Sequence, residues 1–536
     1  QQKVLERQLW GVANLLRGKM NADEYKNYIL GFIFYKYLSE KLENYVIEKL
    51  LVQEEMLFSE IKEDTIEGKK YLEEIKKACI GHLGFFLKPS ELFSYIVKKG
   101  KGEIKNQDNF ILEDLKNILN NIEKTSAGTA SEDDFKGLFD DMDLTSTKSC
   151  SREKDKNDVV VEVLGLLNGI DFRIDDARGD LLGDAYEYLI GEFAAGAGKK
   201  GGEFYTPAQV SRLLAQIVTM DKKRIKSVYD PTCGSGSLLL RLAEFTEVSN
   251  YYGQELNPTT FNLARMNMIL HGVHFDHFSI RQGNTLTEDM HPDLKTEAIV
   301  ANPPFSMEWK GESDPALVHD ERFSQYGRLA PKSAADYAFA THMIHHLADN
   351  GTMAIVLPHG ALFRSGAEGQ IRKYIIEKLN YLDAVIGLPS NLFYGTSIPA
   401  TVLVFKKCRT EDEDILFIDA SKEFEKVKNQ NKLTDENIKK IFETYKNRLE
   451  IEKYSHRVKL DEIKENEYNL NIPRYVDTFE EEEQIDIEKV SKRRWHLTEK
   501  GYVRSKNKNG LFLHALILGK KEGYEIIQNA IDKKIL

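Results

Sequence analysis

Apolar positions recur at helical spacing along the first third of the chain and in short blocks along its middle. Leu5, Leu9, Val12, Leu15 and Leu16 fall at the three- and four-residue intervals of an amphipathic helix. Residues 28–38 (YILGFIFYKYL) are dense in aromatics, which predicts a buried helix, followed by the charged run SEKLENYVIEKL. A Ser-, Asp- and Gly-rich stretch at 125–152 predicts loops near a domain edge. From about Leu181, short apolar runs (SVYDP, NYYGQE, EAIVANPP, GTMAIVLPHG, YLDAVIGLP, ATVLVFKK, ILFIDA) alternate with helical stretches such as SLLLRLAEF, TTFNLARMNMIL and ADYAFATHMIHHLAD. That alternation predicts an α/β fold with a mainly parallel sheet, which binds ligands beyond the carboxyl ends of its strands. After Asp419 the pattern is charged and mostly helical, with an aromatic stretch at 468–475 (YNLNIPRY). Three regions result: a helical domain at 1–165, an α/β domain at 166–420 and a mostly helical region at 421–536.

Charge narrows the partners. The 536 residues carry a net charge of −11, with 41% hydrophobic residues to build cores. A protein that grips nucleic acid mainly through its own surface is usually basic, so any such grip here is local or supplied by a partner. The basic cluster Lys492, Arg493 and Arg494 is expected to be a solvated surface. Four scattered cysteines, Cys79, Cys150, Cys233 and Cys408, show no metal-ligand spacing and fit a reducing, cytoplasmic compartment. No apolar run reaches the length of a membrane span and the first residues lack a signal-peptide core, so no membrane association is expected.

Candidate chemistry clusters at strand ends. DPTCGSG, residues 230–236, lies directly between the strand IKSVY and the helix SLLLRLAEF. Gly234 and Gly236 allow a tight turn and close backbone approach. Thr232, Ser235 and the neighbouring amides lie at a helix N-terminus, where they can bind a ligand carboxylate. Asp230 can accept a hydrogen bond from an ammonium group. Glu255, ending NYYGQE, is placed to bond both hydroxyls of a ribose, and Asn257 with Pro258 opens the next helix. S-adenosylmethionine carries a carboxylate, an ammonium and a ribose. The dinucleotide fingerprint GxGxxG is incomplete and a Walker lysine is absent, which disfavours dinucleotide binding and nucleotide hydrolysis.

Asn302, Pro303, Pro304 and Phe305 close the strand EAIVA. The prolines remove amide donors and fix the backbone. The Asn302 side-chain oxygen and the Pro303 carbonyl remain as rigid acceptors for one planar amino group, and Phe305 offers a face for stacking. Cys233 sits in the glycine turn, outside a Pro-Cys nucleophile context, so thiol attack on a cytosine ring carbon is not expected. His345, His346 and His359 lack a second ligand set at metal spacing, and no metal is expected.

DPTCGSG followed by NPPF resembles the amino-methylating DNA methyltransferases. GEFYTP (202–207) looks like that family's motif that closes over the methionine part of the cofactor, and NLFYGTSIPATVLVFKK (391–407) is similar to its late hairpin beside the base pocket. LRGKM, YILGFIFYKYLSEK, LLGDAYEYLIGEFA and NLNIPRYVD resemble the modification subunit of type I restriction–modification systems. The resemblance covers about residues 5–480. It implies a Rossmann-like S-adenosylmethionine-dependent sheet of seven strands with one antiparallel edge hairpin. It also implies methylation of the N6 amine of adenine in DNA, with a specificity subunit shared by two modification chains and a restriction subunit that can join. Phe204, Tyr205 and Thr206 would then lie near the cofactor with Asp230, Gly234 and Glu255. Relatives often carry an acidic residue where this chain has Asn284, which could still bond the cofactor's adenine ring. The alternatives are the same fold acting on a protein glutamine or an RNA base, and an assembly scaffold.

Overall fold

The structure, a computed structural model, describes residues 2–17, 19, 25–52, 56–144, 153–172, 174, 181–196, 205–410, 414–427 and 430–477. The chain divides into a unit Gln1–Asp477 and a unit Thr478–Leu536. The basic cluster at 492–494 and the residues Cys150 and Phe204 lie outside the described residues.

The strands are β1 Arg224–Asp230, β2 Glu247–Glu255, β3 Phe278–Gln282, β4 Thr296–Ala301, β5 Leu347–Pro358, β6 Leu382–Gly387, β7 Ala400–Lys406, β8 Ile415–Asp419, β9 Glu425–Lys426, β10 Asn431–Lys432 and β11 Ser455–Val458. Nine of them form one sheet in the order β11-β8-β6-β7-β5-β4-β1-β2-β3, while β9 and β10 make a separate antiparallel pair. The ladders among β1 to β5 and between β6 and β8 are parallel. β7 runs antiparallel to both β5 and β6. Central strands of such a sheet are covered on both faces and so read as unbroken apolar runs; all six residues of β6 and the last eight of β5 are buried.

Strand order reverses at β1: β2 and β3 extend the sheet to one side, β4 and β5 to the other. This switch point opens a crevice at the carboxyl ends of β1 and β4, where Asp230 ends one strand and Asn302 follows the other.

The sheet corrects the seven-stranded expectation. β8 and β11 add two strands, and the antiparallel β7 is interior, between β5 and β6, so it is not an edge. The region after Asp419 holds the expected helices, Asp435–Lys446 and Leu460–Glu465, but returns β11 to the sheet between them. Charge fastens that return. Asp383 of β6, 1% exposed, bonds Tyr445 Oη at 2.8 Å and pairs with Lys406 at 3.3 Å and Arg448 at 3.1 Å. Burial alone would raise its carboxyl, but these cations hold it below the ordinary value.

The helix Tyr25–Tyr45 buries 14 of its residues, among them an unbroken run from Tyr28 to Ser39, as its aromatic-rich pattern predicts. Tyr37 Oη donates to the Ile269 carbonyl at 2.9 Å, tying it to the helix Pro258–Leu270 that follows Glu255. Arg265 of that helix donates to the carbonyls of Asp133 (2.8 Å) and Lys136 (2.9 Å). The helical region therefore grips an element that leads directly out of the strand-end crevice. No described helix is long and apolar enough to cross a membrane.

Candidate active site

A small cavity at the switch point is lined by Tyr205, Thr206, Asp230, Thr232, Cys233, Gly234, Ser235, Ser237, Leu238 and Asn302. Residues from three separate motifs thus meet in one place. Tyr205 packs on the helix Leu181–Gly196, where a Cβ on Gly191 would lie 3.0 Å from its hydroxyl.

The glycine turn needs its glycines. Gly234 has φ 55° and Gly236 φ 78°, in the left-handed region that a Cβ disfavours. A Cβ on Gly236 would also meet Met268 Cε at 3.2 Å. Asp230, 1% exposed, accepts the Thr232 amide at 2.9 Å on Oδ1. Burial pushes its carboxyl up to about 8, against the pull of the Thr232 amide and with a further push from Glu255. Ser235, also buried, shares a hydrogen bond with Ser237 at 2.9 Å.

Glu255 has a role that strand-end placement does not reveal. Oε2 accepts the Gly234 amide at 2.9 Å and Oε1 the Asn257 amide at 2.8 Å, so the carboxylate braces the glycine turn against the next helix. Burial raises its pKa despite these amides. The Leu256 amide also bonds this carboxylate, which leaves about one of its roughly four acceptor sites for a ligand hydroxyl. Asn257 caps the helix Pro258–Leu270 by accepting the Thr260 amide, with Pro258 at the first position. Asn284 does not line the cavity; its Oδ1 accepts the Leu286 amide at 3.1 Å and shapes the loop after β3.

Asn302 Nδ2 donates to Thr206 Oγ1 at 3.1 Å, joining the loop after β4 to the segment before the sheet. Its Oδ1 is buried and has no hydrogen-bond partner among the described residues. Pro303 is buried, Pro304 and Phe305 half-buried. The Phe305 ring meets Phe393 edge-on at 5.7 Å, and Tyr394 lies 6.0 Å from Tyr205, so the 391–399 loop packs against residues of both motifs. Cys233 is buried in the turn and its thiol is held well above the ordinary value by burial, the state of an inert structural cysteine.

Sequence reasoning missed a polar staple beneath these loops. Thr285 Oγ1 donates to the Pro231 carbonyl at 2.5 Å. Arg322 donates to the Thr285 carbonyl at 2.7 Å and the Leu286 carbonyl at 3.3 Å, and pairs with Asp320 at 2.6 Å. Arg322 also touches a cluster of Asp289, His342 and His346, whose polar atoms lie within 4.8 Å of one another. A guanidinium can only donate, so His342 Nδ1, 3.0 Å from Arg322, is an acceptor. Its Nε2 then carries the hydrogen and faces Tyr229 Oη at 2.9 Å. No lone pair remains on that ring for a metal. His346 bridges the Leu294 carbonyl (2.8 Å) and Asp289 (2.9 Å). This is the bonding of a structural network under the strand ends.

Comparisons with known proteins identify the family. A family model described as N-6 DNA Methylase matches residues 177–484, and one described as the HsdM N-terminal domain matches residues 5–167. The chain is 39% identical over 503 residues to the methylase subunit of the type I restriction enzyme MpnII of Mycoplasma pneumoniae, covering 91% of this chain and 92% of that one. It is 32% identical over 502 residues to the methylase subunit of the type I restriction enzyme MjaVIII of Methanocaldococcus jannaschii, covering 89% and 78%. The crystal structure of a type I restriction–modification methyltransferase subunit from Streptococcus thermophilus is similar at a TM-score of 0.80 and 41% identity, over 89% of this chain and all of that one. With both regions matched and relatives this similar along nearly the whole chain, the chain belongs to the N-6 DNA methylases, among the adenine-specific methyltransferase subunits of type I restriction–modification systems.

Proposed function

We propose that the cavity between the ends of β1 and β4 is where this adenine methyltransferase joins S-adenosylmethionine to an adenine turned out of the DNA duplex. The observation that carries the reading is Asn302. It shares one cavity with Asp230 and Gly234, its amide nitrogen is held by Thr206, and its buried oxygen lacks a partner among the described residues. Such an orphaned acceptor costs about 1–3 kcal/mol, a cost that an incoming amino group would offset.

The donor set suits the cofactor. Asp230 and the turn around Thr232, Gly234, Ser235 and Gly236 would hold its amino-acid part, Glu255 its ribose and Asn284 its adenine ring, with Phe204, Tyr205 and Thr206 closing the methionine side. When bound, S-adenosylmethionine supplies an electrophilic methyl group on a sulfonium. Asn302 Oδ1 and the Pro303 carbonyl accept the two hydrogens of the target amine. They draw electron density back onto a nitrogen whose lone pair is otherwise delocalised into the purine ring. Phe305, braced by Phe393, and Pro304 confine the base. The nitrogen gives up one proton for the methyl it gains; both acceptors lack the basicity to keep it, so it passes to solvent. A stacked, paired adenine cannot enter such a cavity, which requires the base to be everted.

The net charge of −11 supports a division of labour. A specificity subunit, shared by two copies of this chain, would supply most of the DNA grip and the sequence choice, and a restriction subunit would join the full complex. In this division residues 166–420 would carry the chemistry, 1–165 would be the helical domain and 421–536 would bind partners. The free thiols of Cys79, Cys233 and Cys408 fit a cytoplasmic setting.

The test is transfer of labelled methyl from the cofactor, by the chain alone and co-expressed with its specificity subunit. N6-methyladenine confined to a defined DNA sequence, and formed only with the partner, is expected. Label found only in protein or RNA would overturn the assigned acceptor, and robust site-specific methylation by the isolated chain would overturn the division of labour.

A further inference from the structure

Pro303 and Pro304 have no amide hydrogens, so the middle of the loop they occupy offers no backbone donors of its own at those two positions. Two side-chain anchors hold it at its ends. Thr206 holds one end through the Asn302 side chain. The other end is Ser306, whose φ of 51° is a left-handed conformation that a residue with a Cβ adopts only under restraint. The restraint is a buried carboxylate: Asp336, fully buried in the first turn of the helix Asp336–His346, accepts the Ser306 amide on Oδ1 at 2.9 Å. Its Oδ2 accepts Arg364 Nη1 at 2.8 Å, and Arg364 Nη2 donates to Ser306 Oγ at 3.1 Å. Glu368, 1% exposed, holds the same guanidinium at 3.0 Å. Backbone bonds extend the staple: the Ala335 amide donates to Met307 and the Trp309 amide to Lys332, each at 2.9 Å.

We infer that Asp336 and Arg364 are positioning residues for methyl transfer, which together lock Ser306 and thereby aim the Asn302–Pro303–Pro304–Phe305 acceptors at the target amine. This rests on the reading of the cavity given above. The arrangement has the economy of a pre-organised site, in which acceptors that cannot move cost nothing to align during reaction. Arg364 bridges the buried and exposed parts of the lock, with a third of its side chain exposed while both of its carboxylate partners are buried. Its flat fork reaches two carboxylates and a hydroxyl together, and a lysine ammonium lacks that geometry.

The experiment uses the chain in complex with its specificity subunit and reads three quantities: cofactor Kd, single-turnover transfer rate and melting temperature. Asp336→Asn is expected to slow transfer at least tenfold with cofactor Kd within twofold of wild type. Ser306→Gly, at an exposed position where folding is not threatened, frees the backbone; it is expected to slow transfer at least threefold with an unchanged or higher melting temperature. Arg364→Lys is expected to recover only part of the rate lost in Arg364→Gln. Wild-type transfer rates in Ser306→Gly, and in Asp336→Asn if it folds, overturn the inference while leaving the cavity's function intact. A wild-type complex that binds cofactor but never methylates adenine overturns the underlying reading instead.

Discussion

Asp230 makes cofactor affinity depend on pH in a way that an ordinary carboxylate would not. Burial raises its carboxyl to about 8 in the ligand-free protein, so at pH 6 about 1% is ionised and at pH 8 about half. The α-ammonium it would bind titrates near 7.8 and is lost above that value. The sign follows directly. A raised carboxylate pKa means the neutral form prevails below 8, and pairing with an ammonium requires that proton to leave, so affinity climbs as pH rises toward 8. The product of the two ionised fractions rises about twentyfold from pH 6 to 8 and falls comparably by pH 10. Equilibrium dialysis with labelled S-adenosylmethionine across this range should show a bell centred near 8. Asp230→Asn should bind weakly and lose the rising limb. A flat affinity between pH 6 and 7.5, the behaviour of a carboxyl with its usual value near 4, would refute the reasoning, because Asp230 would then be either solvated or not the ammonium's partner.

Two further outcomes follow from buried groups. Arg322→Ala should cost about 3–5 kcal/mol of stability, since it strands Asp320 and frees the Thr285 and Leu286 carbonyls; a melting temperature unchanged from wild type would show that the staple is dispensable. Iodoacetamide at pH 8 should label Cys408, which is exposed, and spare Cys79 and Cys233, which are buried with thiols pushed up by burial, that of Cys79 to about 12; peptide mass mapping with rapid labelling of Cys233 would contradict its placement in the turn.

Much of this site is legible in linear sequence because its demands are local. A turn that needs positive φ at two places needs Gly234 and Gly236, and buried parallel strands advertise themselves as apolar runs that stop where the chemistry begins. What escapes is whatever depends on partners distant in sequence. Arg322 bonds a carbonyl 37 residues before it, and Asp336 the amide of Ser306, 30 residues before it; neither spacing follows a helical or strand period. β11 is four residues long with a half-exposed middle, so SHRV carries no run to recognise. Asp383 reads as a polar interruption of YLDAVIGLP, yet it is buried because Lys406, Arg448 and Tyr445 converge on it from later segments. Glu255 shows the intermediate case: its strand-end position is visible, whereas its grip on the Gly234 and Asn257 amides depends on how the turns pack.

The orphaned oxygen of Asn302 is the acceptor at the centre of the proposed chemistry. Its most direct test is the single-turnover methyl-transfer rate of Asn302→Ala in complex with the specificity subunit, measured beside the variant's cofactor Kd. Removing one of two pre-organised acceptors should slow transfer by about 10²–10³ with cofactor binding within a few-fold of wild type. A variant that transfers methyl groups at the wild-type rate would mean the amine is held elsewhere.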